Sequence, residues 1–177
     1  MSYALSNHGE VLRSLCDVAF EHLRRLIVVD EDARRKWQAA FKSGEIECER
    51  LGAVHLLLHE IWAFKVSGTG ERTDLIFPVP PNPIGALTGL VLTEWKVSKA
   101  AGRDYFGEAF KQARSYSQGV LAATELATHR YLVVVSDRAL ECPEDRIDSG
   151  ITFRHINIPV RPETPSKAAR RKSPVEP

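Results

Sequence analysis

Asp74, Glu94 and Lys96 are the residues whose types and spacing carry the most definite chemistry in this chain. Glu94 and Lys96 sit two apart in the run Gly89–Val97, which is strand-prone at Val91, Thr93, Trp95 and Val97. Their side chains therefore project from one face of a strand, while Trp95 points into packing on the other. Asp74 opens an earlier β-prone run, Thr73–Val79. If the two strands are neighbours, two carboxylates and an ammonium share one pocket. Such a set suits Mg²⁺, with Mn²⁺ able to substitute: a hard ion needs only one or two carboxylates and completes its shell with water and substrate phosphate. The ion acidifies a bound water and neutralises phosphate oxygens, and the lysine orients that water or offsets the charge that develops. Phosphodiester hydrolysis is the natural outcome. Taken singly, a Glu-x-Lys is equally an exposed charge pair on a strand, and an aspartate in the place of Asp74 commonly ends a turn.

The elements that must position these residues follow from hydrophobic periodicity. Leu12, Leu15, Cys16, Ala19, Phe20, Leu23, Leu26 and Ile27 recur at helical spacing over Glu10–Val28. A second helix over Glu31–Phe41 has Trp37, Ala40 and Phe41 as its apolar edge and ends at Ser43-Gly44, and a third starts near Glu45. The period then changes. Ile61–Val66 and Thr73–Val79 are short strands joined by Ser67-Gly68-Thr69-Gly70, which predicts a hairpin, and Pro78, Pro80, Pro81 and Pro83 close the second of them. Arg103–Ser117 reads as a helix with Phe106, Ala109, Phe110 and Ala113 on one stripe, ended or bent at Gly119. Arg130–Val135 is almost continuously apolar after its first residue, as a strand buried on both faces is, and Ile151–Val160 supplies a further strand. The expected class is α/β: a mixed β-sheet flanked by helices, with residues 1–44 as an N-terminal helical extension, residues 45–160 as the core, and residues 161–177 as a disordered basic tail.

The chain has 177 residues, of which 24 are Lys or Arg and 23 are Asp or Glu, so a globally basic coat for nucleic acid is excluded and any polyanion must meet a local groove. The tail holds Arg161, Lys167, Arg170, Arg171 and Lys172 against only Glu163 and Glu176. Near the proposed pocket, Arg72, Lys99, Arg103, Lys111 and Arg114 either hold phosphates or form a solvated face. Tyr105, Phe106 and Tyr116 offer stacking to an unpaired base, although Phe106 is better explained as core. Cys16, Cys48 and Cys142 are odd in number and widely spaced, which fits neither a disulfide framework nor a thiolate metal cradle. With no run of about 18 apolar residues to span a bilayer and no secretory build at its start, the chain reads as a cytoplasmic protein with no membrane partner.

Downstream of the Glu-x-Lys, Gln112 and Tyr116 form an i, i+4 pair on one helix face in Gln112-Ala113-Arg114-Ser115-Tyr116. The order Thr73-Asp74-Leu75-Ile76, then Leu92-Thr93-Glu94-Trp95-Lys96, then this helix resembles the PD-(D/E)xK nuclease superfamily, especially its RecB-like and Cas4-like branch, over roughly residues 45–136. That resemblance implies a restriction-endonuclease-like core, with Asp74 and Glu94 as metal ligands, Lys96 as the catalytic lysine, and Gln112 and Tyr116 contacting substrate or bracing the site. It also implies a glutamate near the start of the first core helix, Glu49 by choice and Glu47 as the alternative, with His55 as a candidate extra ligand. Thr73 stands where the family name has proline, and the Fe–S cysteines of Cas4-like proteins are absent. The implied protein is a metal-dependent nuclease acting on nucleic acid, DNA being the expected substrate, as a homodimer or within a larger complex. Two other readings stay open: a noncatalytic nucleic-acid-binding or assembly module on the same fold, and a helix-rich interaction protein that presents residues 1–44.

Overall fold

The computed structural model describes residues 8–59, 61, 64–67, 72–78, 90–100, 102–118 and 126–163, with side chains described outside 8–12, 64–67, 72–78, 90–91, 116–118 and 126–128. Among these residues the order is α1 (His8–Val29), α2 (Glu31–Ser43), α3 (Glu45–Leu57), β1 (Phe64–Ser67), β2 (Arg72–Pro78), β3 (Leu90–Ser98), α4 (Tyr105–Gln118), β4 (Leu126–Ser136), β5 (Arg146–Asp148) and β6 (Ile151–Pro159). The strands form one mixed sheet in the order β1-β2-β3-β4-β6-β5. β1, β2 and β3 pair antiparallel, β3, β4 and β6 run parallel, and β5 returns antiparallel along β6.

Both faces of the sheet are covered, which is what three adjacent parallel strands require. On one face Trp95, Tyr131, Val133, Val135, Ile156 and Ile158 pack against Cys16, Ala19, Phe20, Leu23 and Ile27 of α1, Trp37 and Ala40 of α2, and Cys48 and Leu56 of α3. On the other, Leu92, Leu132, Val134 and Phe153 pack beneath Tyr105, Phe106, Ala109, Phe110 and Ala113 of α4. Every side chain from Arg130 to Val135 is buried, as the apolar run predicts.

Local signals set the helix ends. The Asp30 carboxylate accepts from the amides of Asp32 (2.8 Å) and Ala33 (2.9 Å) and so starts α2. Gly44, at φ 129°, ends α2 through its N–H to the Ala40 carbonyl (2.9 Å) and redirects the chain into α3. Gly52 lets α3 lie against the sheet, because a Cβ there would fall inside the Trp95 indole. Longer side chains tie the helices to the sheet: Arg24 Nε donates to the Asn157 carbonyl (2.8 Å), and Gln38 Nε2 to that of Val160 (3.1 Å).

The hairpin pairing of β1 with β2 is present, Phe64 opposite Ile76, with a register shift between Lys65 and Ser67. Its predicted turn lies outside the described residues, as does the tail beyond residue 163. β5 was not expected from hydrophobic patterning. This three-residue strand is held by a two-residue turn in which Ser149 (φ 52°) and Gly150 (φ 78°) both take positive φ, with Asp148 opposite Ile151. No helix among the described residues is long and apolar enough to cross a membrane.

Candidate functional site

The pleat of β3 sorts its side chains. Thr93, Trp95 and Val97 face the α1–α3 layer, where Trp95 Nε1 donates to Thr93 Oγ1 (3.3 Å), and Leu92, Glu94 and Lys96 occupy the opposite phase. Glu94 is fully buried. Lys96 Nζ donates to Glu94 Oε1 at 2.6 Å, to Glu45 Oε1 at 3.3 Å and to the Trp95 carbonyl at 3.0 Å, and the lysine side chain is only 12% exposed. An ammonium ion-paired at this distance in a mostly buried setting is fixed in position.

The β2–β3 register places the third residue. Ile76 pairs with Leu92, Phe77 with Val91 and Pro78 with Leu90. Continued by two residues, the same register sets position 74 opposite position 94, on one face of the ladder. The Asp74 side chain, like those of Arg72 and Tyr116, lies outside the described residues.

The first core helix contributes a further carboxylate. Glu45, its first residue, is the glutamate that reaches Lys96. Glu49, one turn later, is buried on the same helix, as a residue in an inward stripe should be. Glu47 instead pairs with Arg50 (2.6 Å). His55 is not placed as a ligand to this site: its Nε2–H donates to the Ala19 carbonyl of α1 (2.8 Å), and its ring meets His59 (4.8 Å between centroids), which in turn meets His22 (5.1 Å). Burial, then the neighbouring imidazoles, hold His55 below the ordinary histidine pKa, and burial with His22 does the same for His59.

Gln112 is half-buried on α4, with position 116 one turn on. Several expected phosphate contacts have partners within the chain. Arg103 makes a two-pronged bond to Glu108 (2.6 and 2.8 Å), which lowers the Glu108 pKa and raises that of Arg103. Arg114 pairs with Asp148 (3.4 Å), and Lys99 Nζ donates to the Lys42 carbonyl at the end of α2 (3.0 Å). Lys111 is exposed. Tyr105 is no stacking platform, because its hydroxyl accepts from the amides of Lys99 (3.1 Å) and Ala100 (2.9 Å), and Phe106 is core.

Two residues at or near the site were not singled out from the sequence. Glu45 had a usable signal, its position directly after the Gly44 break and one turn from Glu49. Arg130, buried on β4, had none, because it opens an otherwise apolar run. Among the described residues no group of three His, Cys, Asp or Glu stands ready to hold a metal ion. Comparisons with protein-family models, with characterised proteins and with solved structures find no match to this chain.

Proposed function

We propose that this chain is a metal-dependent nuclease of the PD-(D/E)xK type, hydrolysing phosphodiester bonds of nucleic acid, with DNA as the expected substrate. One observation carries the reading: Glu94 and Lys96 are held together on a buried strand; the antiparallel ladder to β2, the strand of Asp74, would bring Asp74 opposite Glu94 if its register were continued two residues past the Ile76–Leu92 pair. The order helix, three antiparallel strands, helix and parallel strand over residues 45–136 supports it. So does α4, which carries Gln112 and Tyr116 beside β3.

The donor set is all oxygen and suits Mg²⁺ or Mn²⁺. Asp74 and Glu94 would hold the ion with a glutamate of α3, and when bound it supplies charge neutralisation at the phosphate and acidifies water. Lys96 brings a fixed positive charge to orient the attacking water or to offset charge building on the phosphate oxygens. Its bond to Glu45 fixes where that charge sits. Gln112 and Tyr116 contact the substrate strand or brace the site.

A noncatalytic nucleic-acid-binding or assembly module on the same fold is the second reading, and the engagement of Lys99, Arg103 and Arg114 within the chain favours its assembly form. Incubating wild type, Asp74→Ala and Lys96→Ala with labelled single-stranded, duplex and branched DNA and RNA in Mg²⁺, Mn²⁺ and Ca²⁺ separates the two. The nuclease reading expects cleavage by wild type in Mg²⁺ or Mn²⁺ and its loss in both variants, with unchanged far-UV circular dichroism. Binding without cleavage in every metal would overturn it in favour of the module.

A further inference from the structure

We infer that Arg130 forms the floor of an oxyanion site on the α4 face of the sheet, taking a phosphate or phosphodiester group. Arg130 is 3% exposed, yet its Nε has no hydrogen-bond partner and its guanidinium makes no ion pair among the described residues. The guanidinium lies against an aromatic ring, its carbon 5.2 Å from the centroid of Phe153. A guanidinium has five donors and no means of losing its charge at neutral pH, so burying it without an acceptor is costly. The other well-buried or half-buried cations nearby are ion-paired: Lys96 lies between Glu94 and Glu45, and Arg154, whose Nε likewise has no hydrogen-bond partner among the described residues, lies between Asp17 (2.7 Å) and Asp145 (2.8 Å).

A second guanidinium stands in the same row. Arg130 and Arg146 both pair in register with Phe153, from opposite sides, so the three side chains share one face. Arg146 lies 3.8 Å over the Phe110 ring, which packs edge-on against Phe153 (4.7 Å), and among the described residues it too has no carboxylate partner. Asp148, the acid whose charge reaches Arg130, pairs with Arg114. Two like charges thus flank one aromatic ring with no carboxylate in ion-pair contact among the described residues, Asp148 acting on Arg130 only at longer range; one is deep and one exposed at the rim, an arrangement that a doubly coordinated oxyanion neutralises.

The place is suggestive of the substrate. Arg130 is level with Leu92 of β3, so it lies one strand across and two residues back from Glu94 on the same face, about 8 Å between Cα atoms from strand geometry. That spacing is within the reach of one nucleotide repeat. That the anion belongs to a nucleic-acid backbone rests on the nuclease reading, whereas the anion site itself does not.

The test uses the full chain, with inorganic phosphate and a labelled single-stranded oligonucleotide in Ca²⁺ as probes. Phosphate should raise the wild-type melting temperature above that in chloride at equal ionic strength. Arg130→Met should abolish this rise, melt in chloride at or above the wild-type temperature, and weaken oligonucleotide binding about tenfold with a shallower salt dependence. Loss of the phosphate response with unchanged oligonucleotide binding assigns the site to a small phosphate. Loss of both assigns it to the strand. A wild-type phosphate response in Arg130→Met overturns the site. Should that variant not fold, the Arg130 Nε–H resonance of the wild type, assigned with Arg130→Lys, must move on phosphate titration, and a stationary resonance overturns the proposal. Phosphate binding without cleavage in any metal sinks the nuclease reading and leaves the anion site standing.

Discussion

Replacing Gly52 by alanine probes the contact that seats the first core helix. In an exposed helix interior this change stabilises by about 1 kcal/mol through helix propensity. At position 52 the added methyl falls inside the indole of Trp95, which is fully buried and packed between Phe20 and the sheet. Overpacking of a filled core costs about 1–3 kcal/mol, and so deep an overlap belongs at the top of that range. The net loss is about 2 kcal/mol, or a fall of about 4–8 °C in melting temperature for a domain of this size. The sign separates the two effects. Thermal denaturation followed at 222 nm measures it, and the same substitution in a Trp95→Leu background should lose most of its cost, because the overlapping atoms are gone. α3 carries Glu45 to Lys96, so Gly52→Ala should also depress any activity that depends on that lysine. A Gly52→Ala protein that melts at or above wild type would refute this account of how α3 is held.

The histidine seam between α1 and α3 should make stability pH-dependent. His55 and His59 are held below their ordinary pKa, so the fold favours their neutral forms. Their contribution is fully present above the ordinary histidine range and is lost as pH falls through the lowered folded values. Melting temperature should be flat from pH 8 to 7 and fall from about pH 6 to 5, less steeply in His55→Gln, and equal slopes would count against the seam. Asn157→Leu should cost about 2–4 kcal/mol by chemical denaturation, since Asn157 donates to the Val134 carbonyl and Ser136 Oγ and accepts from the Leu140 amide, each at 2.8 Å. A loss under about 1 kcal/mol would show those groups finding other partners.

Much of the architecture was legible because burial imposes a period. The stripe Cys16, Ala19, Phe20, Leu23 and Ile27 is the face of α1 that enters the core, and the apolar run after Arg130 is the strand enclosed on both sides. β5 was not legible. Its three residues are too few to show alternation, and pairing with β6 through the Ser149-Gly150 turn makes the strand. For the site, Glu94 and Lys96 could be placed on one face from spacing alone, since a strand alternates. The glutamate of α3 could not be fixed, because positions one turn apart share a helix face and only tertiary packing decides that Glu45 meets Lys96. Spacing leaves His55 open between an extra ligand and a packed histidine, and only packing shows its Nε2 on the Ala19 carbonyl of α1. Arg130 was hidden because charge within an apolar run signals only that a strand begins.

The helices at the front of the chain have consequences for synthesis on the ribosome. α1 is fastened by bonds spanning 118 residues, from the Tyr131 hydroxyl to the Arg13 carbonyl (3.2 Å), and 133 residues, from Arg24 to Asn157. Its apolar stripe thus emerges first and must wait for β4 and β6, the last of which is translated about 130 residues later, several seconds at ordinary elongation rates. Until then α2 and α3 alone can cover the stripe, and its sheet-facing part stays without the strands that bury it in the finished fold.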